Sequence, residues 1–179
     1  PFKRMAHSGN VNSLNRFIGI PANTKIPLSK IDIVVGHEKI VHDAEKPSIY
    51  YTPEVISQIR KYYYSTPKPN IPIYDIIIHI RRGDVNSANI KNLHRFVSNK
   101  EYYSLINRLR TQYPNYNITI FSEGKLSDFE DLKEYAVKFI LNTPIEETFH
   151  AMVKCKVLVT SRSSFSYSAA ILNENKIYY

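Results

Sequence analysis

A chain of 179 residues, 43% hydrophobic and 22% charged, has the composition of a globular protein with room for one substantial domain plus a smaller partial one. No stretch approaches the ~18 consecutive apolar residues of a membrane span, and a lone cysteine, Cys155, excludes an internal disulfide or a zinc site built on several cysteines. A net charge of +8 favours an anionic partner, but the excess of Lys and Arg is spread along the chain rather than gathered into a basic arm, which argues against nucleic acid.

The chain opens at PFKRMAHSGN with neither an initiator Met nor a signal segment, so we expect a piece of a longer protein. The single cysteine and the missing signal favour the cytoplasm, with the Golgi or ER lumen as the alternative for a fragment. Residues 1–47 show weak periodicity, with one candidate strand at 31–35. In PEVISQIRKYYY, residues 53–64, Pro53 suits a first helical position, and Val55, Ile56, Ile59 and Tyr63 fall on one face, so a helix is expected. The stretch STPKPNIP, residues 65–72, reads as a linker because its prolines interrupt any regular element. We therefore expect a partial N-terminal segment over 1–68 and a second domain over 69–179.

Beyond the linker the pattern becomes regular. An apolar run at 73–80 is followed by a helix at about 100–112, a strand at 117–122 and a helix at about 127–136. A strand at 137–141, a helix at about 145–154, a strand at 156–160, a helix at about 165–173 and a strand at 176–179 complete the series. Strands alternating with helices at this spacing imply an α/β fold, a Rossmann-like parallel sheet with helices on both faces. Ligands of such sheets sit outside the carboxyl ends of the strands.

The run Ile76-Ile77-Ile78 marks a central strand, and it ends in His79-Ile80-Arg81-Arg82-Gly83-Asp84. Strand alternation puts His79 and Arg81 on one face and Ile80 on the other, so the His and the first Arg can converge on one ligand. The planar fork of an arginine suits a diphosphate. Gly83 permits a sharp turn, and Asp84 can accept bonds from Arg81, Arg82 or backbone N–H groups. In the competing structural reading, Arg82 and Asp84 pair on the surface and His79 is a satisfied core histidine. The Arg-Gly-Asp triplet lies directly behind a buried strand, a poor place for an adhesion motif.

A second constellation is VLVTSRSSFSYSAAILN, residues 157–173. Its strand ends at Thr160, the loop Ser161-Arg162-Ser163-Ser164 follows, and a helix starts near Phe165. Free N–H groups at a helix start attract anions and serine hydroxyls add donors, although serines are also ordinary N-caps. Phe165, Ala169, Ala170 and Leu172 are core positions, and Arg162 is either a second cation for the ligand or a solvated side chain. Cys155, in AMVKCKVLV, reads as a buried structural thiol.

Together the two stretches resemble the GDP-fucose-dependent fucosyltransferases, the α1,2 and α1,6 enzymes and more remotely the protein O-fucosyltransferases, over residues 73–179. His79, Arg81, Arg82 and Asp84 match the motif His-x-Arg-Arg-x-Asp. Met152, Cys155, Ser163, Ser164, Phe165, Ser166, Ala169 or Ala170, and Leu172 follow a late segment of the α1,2 group, with Tyr167 and Ser168 standing where that group usually has two tryptophans. The resemblance implies that Arg81, assisted by Arg82, holds the donor's β-phosphate, that His79 lies near the nucleoside, and that Ser164 contacts the diphosphate beside Ser163, Phe165 and Arg162. In IFSEG, Ser122 and Glu123 occupy the place of a Ser or Thr followed by acidic residues, and Gly124 departs from the pattern. The acidic residue that contacts guanine in the α1,6 enzymes aligns with Thr148, with Glu146 or Glu147 as substitutes.

The resemblance further implies the donor-binding half of a GT-B-type enzyme, with residues 1–68 on the acceptor side. GDP-fucose would be the donor substrate, a glycan or protein the acceptor, and the mechanism an inverting one without cofactor or metal. The chain agrees on the metal in having no Asp-x-Asp motif and no close His pair. No base stands out, His7 and Glu123 being weak candidates. Two other readings compete: an inactive module that binds a nucleotide sugar or a partner, and a nucleic-acid binder using Tyr62–Tyr64 beside Arg60 and Lys61. The sequon Asn117-Ile118-Thr119 falls on an inner strand and reads as chance.

Overall fold

Five residues with no exposed side, Ile76–Ile80, form the central strand β1 of the protein, which is described here in a computed structural model over residues 51–86, 94–135 and 137–179. The candidate strand at 31–35 and His7 lie outside the described residues. The chain divides into two compact units, Pro1–Lys68 and Pro69–Tyr179.

In the first unit, helix α1 spans Pro53–Tyr64. Thr52 caps it by accepting from the Val55 N–H at 3.4 Å, and Pro53 opens it at a position where no N–H is needed. Tyr63 is buried, whereas Val55 and Ile59 are exposed.

The second unit is an open parallel sheet. After β1 come α2 (Asn99–Gln112), β2 (Ile118–Ser122), a 3-10 turn (Leu126–Phe129) leading into the short α3 (Glu130–Lys133), β3 (Lys138–Leu141), α4 (Ile145–Lys154), β4 (Val157–Val159), α5 (Ser164–Leu172) and β5 (Lys176–Tyr178). All four pairings are parallel, and the strand order is β3-β2-β1-β4-β5. Where a single helix was expected at 127–136, the chain makes the 3-10 turn and α3 instead, sending Phe129 and Leu132, three residues apart, into the core.

Alternation divides the core. Ile76, Ile78 and Ile80 face Tyr102, Ile106 and Leu109 of α2 together with Phe129 and Leu132. Burying each isoleucine contributes about 2–3 kcal/mol before the entropy of ordering is set against it. On the opposite face the His79 ring lies 5.7 Å from Phe165 of α5, and Phe165 lies 5.4 Å from Phe149 of α4, so α4 and α5 cover that side. Helix α2 begins at a reciprocal cap: Glu101 N–H donates to Ser98 Oγ, and the Glu101 carboxylate accepts from the Ser98 N–H at 2.8 Å. Cys155 is fully buried, its thiol pushed up to about 12 by burial, and Asn173 beside it donates to the carbonyls of Met152 and Cys155, closing the end of α4.

Candidate functional site

From β1 the chain crosses to β2 and β3 on one side and to β4 and β5 on the other. The crevice between the carboxyl ends of β1 and β4 is therefore the topological switch point, where open α/β sheets bind their ligands. Both polar motifs end there. Arg81, just past β1, donates from Nη1 to Ser163 Oγ at 2.9 Å, bridging 82 positions of sequence. Its Nη2 donates to the two Asp84 oxygens at 3.0 and 2.9 Å, and its Nε is buried without a hydrogen-bond partner. The Arg81 side chain keeps 26% of its surface exposed.

Ser163 is the N-cap of α5. Its Oγ accepts from the Phe165 N–H at 3.3 Å as well as from Arg81, which fills both lone pairs. The hydroxyl proton then has no acceptor among the described residues and is available to one supplied from outside.

Beneath this pair, His79 Nδ1 is hydrogen-bonded to Ser161 Oγ at 2.8 Å. Burial first, and the Arg81 cation second, pull the His79 pKa down to about 4, so the ring is neutral at neutral pH. Gly83 turns the chain after β1 with φ +73°, a backbone conformation that favours glycine, and a β-carbon there would oblige only the tip of the flexible Glu123 side chain to move.

Of the residues singled out in the sequence, the fold thus gathers His79, Arg81, Asp84, Ser163 and Phe165. Arg82 does not join them. Alternation carries it to the Ile80 face, where its guanidinium is 4.7 Å from the Phe96 ring centroid and 5.8 Å from that of Phe129. There it donates to the carbonyls of Arg81 and Val97 and to Asn99 Oδ1 at 2.8 Å. Burial lowers its pKa from the usual value, with Tyr102 and Asp128 opposing the shift.

Ser122 is spent on the seam between β1 and β2, donating to the Ile80 carbonyl at 2.6 Å. Glu123 packs over Gly83. Arg162 is exposed and donates to the His94 carbonyl at 2.9 Å. Ser164 is the exposed first residue of α5, and the Thr148 hydroxyl, in the first turn of α4, pairs with Thr143 at 3.0 Å.

Two residues of the cluster went unselected in the sequence, Ser161 and Ser166, both buried. Their signal was the alternation of serine through Ser161, Ser163 and Ser166 at a helix start, more hydroxyls than one N-cap uses. Among the described residues no group of three or more His, Cys, Asp or Glu side chains could hold a metal ion.

The sheet order defines an open parallel α/β domain, in which an arginine and a helix N-terminus meet across the switch point. The chain belongs to glycosyl transferase family 11, whose family model matches residues 56–179, the α1,2-fucosyltransferase group that its motifs resemble. Searches of curated proteins and of solved structures returned no match.

Proposed function

We propose that residues 69–179 form the donor-binding half of a GT-B-type fucosyltransferase, transferring fucose from GDP-fucose to a glycan or protein acceptor with inversion and without a metal. The observation that carries this reading is the Arg81–Ser163 bond across the switch point, in a chain that belongs to a glycosyltransferase family. Arg81 supplies a fixed cation, Ser163 an uncommitted hydroxyl proton, and the first turn of α5 free N–H groups and the positive end of its dipole.

When the bond between the sugar carbon and the β-phosphate oxygen breaks, negative charge collects on the departing diphosphate. These donors are already oriented toward the carboxyl end of β1, so they stabilise that charge without reorganising. In this scheme Arg82 acts at one remove: it ties the end of β1 to Val97 and Asn99 and thereby fixes the backbone from which Arg81 projects. His79, neutral and buried, underlies the nucleotide.

Thermal shift with GDP, UDP and ADP, each with and without its sugar, tests the reading, because a ligand bound only by the folded state raises apparent stability. Stabilisation by GDP and GDP-fucose above the other nucleotides is expected. Stabilisation by UDP alone would overturn the fucose assignment.

A further inference from the structure

Four polar side chains are buried where β4 joins α5: Ser161 and Ser163 of the loop itself, His79 of β1 and Ser166 of α5. A buried hydroxyl or imidazole costs stability unless it is hydrogen-bonded, and an apolar core would be the simpler packing. Here His79, Ser161 and Ser166 bond one another. Ser161 Oγ bonds His79 Nδ1 at 2.8 Å and faces Ser166 Oγ at 3.3 Å. Ser166 Oγ accepts from the Ser161 N–H at 3.1 Å and lies within donating distance of the Ser161 and Ser163 carbonyls, at 3.3 and 3.2 Å. Ser163 N–H in turn donates to the Ser161 carbonyl at 2.7 Å, which folds Ser161–Ser163 into a tight turn. The Ser163 side chain leaves that turn toward Arg81.

Ser161 and Ser163 thus both join the β1 motif to α5, Ser163 directly through Arg81 and Phe165, and Ser161 one layer deeper through His79 and Ser166. Bonds among buried polar groups restrict the geometry those groups can adopt, and here they hold the turn from which the Ser163 hydroxyl projects. We propose that Ser161 is a positioning residue for the anion end of the site: by tying His79 to Ser166 it holds the turn that presents Ser163 to Arg81 and to the diphosphate. The inference rests on the donor-site reading above and adds to it a residue that touches no ligand.

Calorimetric titration of GDP, and separately of inorganic pyrophosphate, into the protein and its Ser161→Ala variant tests the proposal. Both ligands should bind the folded variant roughly tenfold more weakly, the size of one lost hydrogen bond. A merely structural serine would lower the melting temperature and leave both affinities unchanged, and that result would overturn the proposal. Because Ser161 acts through Ser163, the double variant Ser161→Ala/Ser163→Ala should bind no more weakly than Ser163→Ala alone, and additive losses would contradict the coupling.

Nitrogen-15 spectra of the His79 ring in the unaltered protein give a readout that survives a variant's failure to fold. Saturation with GDP should shift the Nδ1 signal, and an unmoved signal at saturation would exclude the linkage. If the unaltered protein bound neither GDP nor pyrophosphate, the donor-site reading itself would fall. Binding of both with no effect of Ser161→Ala would remove this inference alone.

Discussion

At the amino end of the sheet, Asp75 accepts from Lys156 Nζ at 2.7 Å and from the backbone and side-chain N–H groups of Asn117 at 3.1 and 3.3 Å. Those bonds staple the starts of β4 and β2 to the start of β1. At the carboxyl end of the same strands, Arg81 is held by Asp84 and Ser163, yet its Nε has no partner and the Ser163 proton no acceptor among the described residues. Both ends carry charge near a buried sheet. The first cluster closes on itself, and the second is held in place with capacity left over, which is the difference expected between a structural ion pair and the anion site proposed above. Arg81 and Arg82 repeat the contrast one residue apart, the former at the switch point and the latter committed to carbonyls and aromatic rings on the other face.

Replacing Arg82 should give the largest effect on folding. Arg82→Ala strips partners from the Val97 carbonyl and Asn99 and leaves a void beside Phe96 and Phe129, so a loss of about 3 kcal/mol is expected in denaturant unfolding. A loss below about 1 kcal/mol would show that Arg82 is not structural and would reopen a direct role at the ligand.

Acid should weaken the carboxyl end next. A histidine whose pKa falls from 6.5 to about 4 on folding binds its proton in the unfolded chain but not in the folded one between those values. The His79 contribution is fully present above pH 6.5 and is lost as pH falls toward 4, by up to about 3 kcal/mol. His79→Gln should flatten that part of the stability curve, and an unchanged slope would contradict the assignment.

Gly83→Ala follows, at about 2 kcal/mol from its left-handed backbone, with Glu123 obliged to move as well. Asp75→Asn completes the series. Its exposed ion pair should cost less than about 1 kcal/mol, with GDP affinity unchanged, and a loss of affinity there would erase the distinction between the two ends.

Much of the fold could be read from the residues. The all-apolar run Ile76–Ile78 and the regular alternation of strands with helices after residue 72 sufficed for a parallel α/β sheet, because a strand buried on both faces leaves a continuous apolar run. The strand order that makes β1 and β4 neighbours was not legible, since pairing between distant segments has no local period. The site was legible in part. Alternation placed His79 with Arg81, and carried one residue further it would have sent Arg82 to the Ile80 face. That Arg162 turns to the His94 carbonyl, and that Ser163 rather than Ser164 meets Arg81, depends on the path of the loop and on which serine becomes the cap. One-residue differences of this kind lie below the resolution of a sequence pattern.

The central claim is that the open cluster at the carboxyl end binds a diphosphate through Arg81. Titration of GDP into the protein and into Arg81→Ala, with unfolding curves to show that both are folded, tests it most directly. We predict that the variant keeps its stability within about 1 kcal/mol and loses roughly 100-fold or more in affinity, the worth of a charge-assisted contact at a diphosphate. Equal affinity for GDP in the two proteins would contradict the account.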